Sequence, residues 1–349
     1  MKKLLFATTV LVLLAAGSAF VWLNPWELGP QREVSGGLPT PDGRDEGSAP
    51  HPLTRDAIAS RQYPGSAISV ERDLGEQGGF HSYVVSYRSD GLKINSLMNV
   101  PSGRAQPAAG WPVLIFNHGY FPPKEYATVS GDYRTWTDGL ARAGYLVFKP
   151  DYRGHAQSEG NAVGGNWAPD YAYDVLNLIG SIKQYPPANE ARIGMFGHSM
   201  GGSVTIRAAT ASADVKASAV LGGVVGNSEE LLYKWRRATP RPTPAAGSGF
   251  SSMRQRMIDE FGEPKDNLEF WNSISLHNGL EHLAGPVQIH HGTADGVVPI
   301  EFSDSLNGAL LRAGKPVEYF QYPGTDHIFT GAGGIALQRM TAFFNAALR

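Results

Sequence analysis

The chain has no cysteine in its 349 residues. Disulfides are therefore excluded, and so is a lipid carried on an N-terminal cysteine, while the compartment is left open. It also lacks an excess of either charge: 30 Lys and Arg against 32 Asp and Glu give a net charge of −2. That balance supplies no electrostatic footprint for nucleic acid, and the one basic cluster, Lys234, Arg236, Arg237 and Arg241, reads as a solvated patch. No repeat of solenoid or propeller period is present. Gly194 and Gly197 do not make a dinucleotide fingerprint, and no G-K-[ST] follows to form a phosphate loop. His277 with Glu281-His282 misses the H-x-x-E-H zinc spacing by one residue. No cofactor and no metal are expected.

What is present is ample apolar material, 42% of the chain, enough for a large core. The N-terminus has a signal character: Lys2-Lys3, then an apolar run from Leu4 to about Leu23. Gly17-Ser18-Ala19 resembles a small-residue cleavage site, which makes residues 1–23 a signal peptide. Phe20-Val21-Trp22-Leu23 extends the run towards spanning length, with Trp22 and Trp26 placed like interfacial anchors, so an uncleaved signal anchor with membrane attachment is the alternative. Both readings put the remainder outside the cytoplasm, as a secreted, periplasmic or membrane-anchored protein. Residues 24–61, rich in Gly, Pro and charge without apolar period, read as a flexible tether. That leaves residues 62–349, a size single α/β domains reach.

The most informative run is Gly197-His198-Ser199-Met200-Gly201-Gly202, behind the apolar Arg192–Phe196. It reads as strand, tight turn and helix, the geometry of a nucleophile elbow, in which flanking glycines leave room for a strained serine. A serine hydroxyl needs a base, and the base an orienting acid. Downstream, the strand-like Val287–Gly292 opens into Thr293-Ala294-Asp295, and Val317–Phe320 into Thr325-Asp326-His327. Asp295 is the acid candidate and His327 the base. Asp326 competes for the acid role but, being next to His327 in sequence, points away from its ring. Upstream, Trp111–Phe116 ends in Asn117-His118-Gly119-Tyr120, a loop suited to present a backbone N–H opposite that of Met200 as an oxyanion hole. Tyr120 is the candidate donor and Phe121 the alternative.

Strands near Ala67–Val70, Phe80–Tyr87, Lys93–Val100, Val113–Phe116, Leu146–Phe148, Ile193–Phe196, Ala217–Leu221, Val287–Ile289 and Val317–Phe320 alternate, after an initial hairpin, with helical patterns. This predicts an α/β fold, a mostly parallel twisted sheet with helices on both faces, over 62–349. The stretch of about 226–282 interrupts the alternation with helical segments around a Pro-rich break and is expected to form a small cap. Trp235, Phe250, Met253, Phe261, Phe270 and Trp271 are its candidates for a substrate pocket, with Asn117, His118 and His198 beside the serine. His155 is expected at the rim, and Glu229, Glu230, Asp259 and Glu260 are available to grip a peptide amino terminus.

The chain resembles an α/β-hydrolase and, within that fold, the catalytic domain of the prolyl oligopeptidase family of serine peptidases. The resemblance runs from about Tyr83 to the C-terminus. It is carried by Tyr87–Lys93, Phe116–Tyr120, Lys149-Pro150-Asp151-Tyr152-Arg153-Gly154, the elbow, His291–Asp295 and Asp326-His327. It implies Ser199 as nucleophile, Asp295 as acid and His327 as base, acting through an acyl-enzyme on small peptides. Two departures stand out: Asn117 replaces the family's usual tyrosine, whose hydroxyl serves the oxyanion hole, and no room is left for the family's N-terminal β-propeller. A carboxylesterase acting on small acyl esters is therefore the alternative, and a non-catalytic binding protein on the same scaffold a remote one.

Overall fold

The computed structural model describes residues 50–162, 165–235 and 253–348. The expected leader, the tether up to residue 49 and the Pro-rich break of the cap, with Phe250, lie outside them. From residue 50 the expected tether is already folded, which corrects its boundary at 61. Thr54 accepts the Ala57 N–H at the start of α1 (Arg55–Ser60), and Leu53 and Ile58 are buried. One turn and a half of helix carrying a single buried isoleucine is too short to show a 3.6-residue period.

The sheet has nine strands: β1 (Ser69–Glu76), β2 (Phe80–Ser89), β3 (Leu92–Pro101), β4 (Trp111–Asn117), β5 (Leu146–Pro150), β6 (Ala188–His198), β7 (Val215–Leu221), β8 (Val287–Gly292) and β9 (Val317–Tyr322). Their spatial order is β1-β2-β3-β5-β4-β6-β7-β8-β9. The first three strands join antiparallel and β3 meets β5 antiparallel. From β5 onward every pairing is parallel. This is the expected mostly parallel α/β sheet.

Its central strands bury both faces, so they read as continuous apolar runs whose alternate residues serve two layers. Val113, Ile115 and Met195 pack with α3 (Asp170–Ile182), α4 (Met200–Ala211) and α7 (Glu301–Arg312) through Leu178, Val204 and Phe302. Leu114, Phe116 and Phe196 pack with α2 (Arg134–Arg142) and α8 (Gly333–Leu348) through Leu140 and Phe344. Helices thus cover both faces. β1 starts and ends later than Ala67–Val70 because it is an exposed edge strand, held to β2 by backbone pairing with two register shifts and showing no alternating burial. Hydropathy does not mark such a strand.

The described part of the expected insertion is helical: a short turn at Glu230–Lys234, α5 (Met253–Phe261), α6 (Leu268–Ser273) and a turn at Leu280–His282. Trp271 is not a pocket residue. It is 1% exposed in a satellite core with Leu53, Leu232, Met257 and Ile274, and its Nε1–H donates to the Gly262 carbonyl. Phe261 and Phe270 stack on one another and pack against the same core.

Two motifs far apart in sequence meet on this scaffold. β2 and β3 turn through Asp90 and Gly91, both at positive φ, as a two-residue hairpin loop requires. The Asp90 carboxylate bonds Arg153 Nη2 at 3.0 Å, in the loop after β5. Arg153 also bonds Asp170 through Nη1, and its Nη2 lies 2.8 Å from Asp174 Oδ1, while its own backbone N–H donates to the same carboxylate. Asp174 is fully buried, so removing the arginine strands a charge in the interior. Arg153→Ala is expected to cost about 3 to 5 kcal/mol in urea unfolding, with Arg153→Lys between it and wild type because an ammonium cannot form the same fork. A loss below about 1 kcal/mol for the alanine variant would show that the cluster does not support the fold.

Candidate active site

Ser199 joins β6 to α4 at φ 54, ψ −121, a region in which a side chain is strained. The turn is imposed by backbone contact. A Cβ on Gly197 would lie 2.1 Å from the Gly201 carbonyl oxygen, and one on Gly201 1.9 Å from that of Asn117. Neither position admits alanine without moving the chain. Three hydrogen bonds hold the strained residue: Ser199 N–H to Leu221 O, and Gly202 N–H and Val224 N–H to Ser199 O, each 3.0 Å. Met200 is the first residue of α4, so its N–H belongs to a first helical turn with no intrahelical acceptor.

Asp295 and His327 are in contact, with His327 Nδ1 2.7 Å from Asp295 Oδ2. The carboxylate accepts more than this bond. Its Oδ1 receives the Val297 and Val298 N–H groups at 2.8 and 2.9 Å, and His291 Nε2 lies 3.3 Å from Oδ2. Burial works against ionisation here, but the bonds from His291 and His327 outweigh it and hold the Asp295 carboxyl well below its ordinary value. Asp326 is engaged elsewhere, accepting the Thr330 N–H and hydroxyl. The carboxylate facing the imidazole is therefore that of Asp295.

Sequence reasoning missed two participants. His291, buried in the motif before Asp295, accepts from or donates to Ser303 Oγ through Nδ1 at 2.7 Å and points Nε2 at both Val298 O and Asp295. A carbonyl only accepts, so Nε2 carries the proton and His291 steadies the carboxylate. Gly222, at φ 50 after β7, leaves room for the pair: a Cβ there would sit 3.2 Å from Asp295 Oδ2 and 3.3 Å from His327 Nδ1. The Gly222-Gly223 pair at a strand end was the available signal.

Several pocket candidates are placed elsewhere. Asn117 is fully buried and donates its Nδ2–H to Thr205 Oγ1 on α4 at 2.8 Å, so its amide does not replace the family tyrosine. His118 is fully buried, stacked between Tyr126 and Tyr152, with Nδ1 2.7 Å from the Gly119 carbonyl; it shapes the loop and lines no pocket. His155 is buried beside it, not at a rim. His198 is 4% exposed. Trp235 is half-buried, donating Nε1–H to Val297 O and packing on Phe302, which ties the cap to the Asp295 loop. Glu230 is used locally, accepting the Asn227 N–H, and Glu229 lies 3.6 Å from Lys234. Tyr120 follows Gly119, whose own N–H donates to the Tyr133 hydroxyl at 3.2 Å. Among the described residues no group of side chains is arranged to hold a metal ion, and no helix is long and apolar enough to cross a membrane.

Five histidines in and around this region, His118, His155, His198, His277 and His290, have their pKa lowered by burial, His198 and His290 to about 3. An unfolded chain binds these protons near pH 6.5, and the folded one refuses them. Stability should therefore fall as pH drops below about 6.5, by about 1.4 kcal/mol per pH unit for each excess proton. Burial raises Asp151, to about 7, and Asp174, and these oppose the trend, but two carboxyls against five histidines leave its sign unchanged. Urea unfolding at pH 7.5 and 5.5 should show the loss, and His290→Gln should reduce it; equal stability at both pH values would contradict the linkage.

Comparison with known proteins fits this geometry. Residues 113–251 match the family described as serine aminopeptidase, S33, and residues 245–349 match the prolyl oligopeptidase family. Ser199 falls in the first match, Asp295 and His327 in the second. The uncharacterized peptidase YtmA of Bacillus subtilis (strain 168) is 28% identical over 247 residues, which cover 71% of this chain and 86% of YtmA. A puromycin-hydrolyzing peptidase of Mycobacterium tuberculosis superposes with a TM-score of 0.60 at 20% identity, covering 78% of this chain and 40% of that one. An acetyl xylan esterase from Paenibacillus sp. R4 gives 0.62 at 17% identity, covering 84% and 92%.

Proposed function

We propose that this α/β-hydrolase, a serine hydrolase resembling the catalytic domain of the prolyl oligopeptidase family, is a peptidase that cleaves small peptides through an acyl-enzyme. The observation that carries the reading is the Asp295–His327 hydrogen bond beside the Ser199 turn. His327, oriented by Asp295, takes the Ser199 hydroxyl proton as Oγ attacks the carbonyl carbon. The carbonyl π pair moves to oxygen, where the N–H groups of Met200 and Tyr120 receive the charge. The tetrahedral intermediate collapses, the C–N bond breaks, and His327 returns the proton to the leaving amine. Water then repeats the sequence on the acyl-enzyme, with His327 again as base, releasing the acid and free Ser199.

The depressed Asp295 pKa supports its part, since an ionised carboxylate accepts a hydrogen bond from the facing imidazole nitrogen and leaves the other nitrogen for the serine. The peptidase relative in sequence supports amide substrates. A specific observation favours a second reading, a carboxylesterase on small acyl esters. Asn117 directs its amide at Thr205, so the hydroxyl donor that the family's tyrosine supplies has no replacement there. One such donor is worth about 10² to 10³ in kcat, a loss that a reactive ester tolerates better than an amide.

The charge and apolar pattern of residues 1–23 supports an extracytoplasmic location, whether the segment is cleaved or retained as an anchor. Fractionation of cells expressing the full chain should recover it in the exported or membrane fraction; recovery in the cytosol would overturn that location.

The activity test compares the full chain with Ser199→Ala and Asp295→Asn on aminoacyl and prolyl p-nitroanilides and on short-chain p-nitrophenyl esters. Amide hydrolysis should fall to background in Ser199→Ala and by about 10³- to 10⁴-fold in Asp295→Asn. Ester turnover without amide turnover would move the function to the second reading. Full activity of Ser199→Ala would sink both.

A further inference from the structure

We propose that Tyr133 and His198 form a positioning bridge that locks the backbone of the base loop to the loop carrying the oxyanion donor. The proposal rests on the roles assigned above to Ser199, Asp295 and His327. His198 Nε2 lies 2.8 Å from the backbone carbonyl oxygen of His327. That oxygen can only accept, so Nε2 carries a proton. Nδ1 lies 3.0 Å from the Tyr133 hydroxyl, which in turn lies 3.2 Å from the Gly119 N–H.

The polarity of the whole chain follows from its two ends. An amide N–H only donates and a carbonyl only accepts. With a neutral His198 ring the direction is therefore Gly119 N–H to Tyr133 oxygen, Tyr133 O–H to His198 Nδ1, and His198 Nε2–H to His327 O. Neutrality is assured by burial, which outweighs every other influence on this ring and lowers its pKa to about 3. The titratable groups that face it are Tyr133, His327, Asp295 and His291.

Aromatic rings pack around His198 on several sides. Trp136 and Phe329 pack on His198, and the His198 and His327 rings are 4.6 Å apart. Phe329, two residues beyond the base, is buried at φ 59, so the base loop is itself strained and would relax if released. Tyr133 also sits at positive φ, 67, immediately before α2. The backbone strain at both ends is held by side-chain packing and by this bridge. Asp295 orients the His327 ring; the bridge fixes where the ring is mounted. It also commits the Gly119 N–H to Tyr133, which assigns the oxyanion contribution of this loop to the residue after it.

Neither residue touches the reacting atoms in this scheme, so the expected signature is a loss in kcat with binding preserved. The test uses the full chain and the variants Tyr133→Phe, His198→Gln and His198→Leu. It measures labelling of Ser199 by a fluorophosphonate probe, kcat and KM on the best substrate, and the thermal midpoint. Tyr133→Phe should lower kcat and the labelling rate together by about tenfold, the effect of about 1.4 kcal/mol in the transition state, with KM within about twofold. His198→Gln keeps an N–H at the position of Nε2 and should recover much of what His198→Leu loses.

Wild-type protein labelled at Ser199 with an unchanged labelling rate and kcat in Tyr133→Phe would overturn the bridge alone. Losses in kcat that merely follow the thermal midpoint across the three variants, with no advantage for glutamine, would also overturn it. Failure of the wild type to label at Ser199 would overturn the underlying roles, and the bridge with them.

Discussion

The site depends on one backbone crossing. The end of β4, the turn at Ser199 and the first turn of α4 meet without side chains between them, and the clearances at Gly197 and Gly201 are too small for a Cβ by more than an ångström. This contact sets the angle at which α4 leaves β6 and forces Ser199 into a conformation costing about 1 to 3 kcal/mol. The cost is met by the Leu221, Gly202 and Val224 hydrogen bonds and by burial of almost the whole of α4. Val224 ties the elbow to the segment after β7, and Gly222 in that segment is the residue against which Asp295 and His327 rest. One crossing therefore brings the segments after β4, β6, β7, β8 and β9 to the same end of the sheet.

Burial then acts on different groups in opposite ways. It disfavours the charged form of every ionisable side chain in the region. His198 has only a carbonyl and a hydroxyl for partners, so burial prevails and the ring stays neutral. Asp295 is surrounded by N–H donors, so hydrogen bonding prevails and the carboxylate stays ionised. Hydrogen-bond donors, foremost His291 and His327 and then the backbone turn after β8, decide which buried group keeps its charge.

What was legible in the sequence follows from this physics. The central strands were visible because they are buried on both faces, and the order of Ser199, Asp295 and His327 because strand ends carry them. β1 was displaced because an exposed edge strand has no apolar signature, and α1 was hidden because a six-residue helix has no period. The pocket aromatics failed for another reason. Tryptophan and phenylalanine occur in cores and in pockets alike, so Trp271 could not be assigned by type. Tyr133 was invisible because it acts through a contact with Gly119 and His198 across an irregular loop. Asn117 is expected beside the serine from its place at the end of β4, but the direction of its amide is set by Thr205 on α4, a contact sequence does not show.

The motifs that carried the family resemblance also explain why they did not choose a substrate. Asp90 in the hairpin and Arg153 after β5 are joined by an ion pair, and Tyr87 of the same hairpin donates its hydroxyl to the Asp174 carbonyl. Tyr152, beside Arg153 and at positive φ, donates its hydroxyl to the His118 carbonyl. These residues join the hairpin, the loop after β5 and α3 to one another and, through Tyr152, to His118. Their pattern therefore reports how the segment at His118 is held, which by itself favours neither an amide nor an ester. A scaffold with that property superposes as well on an esterase as on a peptidase. Discrimination between leaving groups has to come from residues outside these motifs; the cap segment, absent from them, is tied to the Asp295 loop through Trp235.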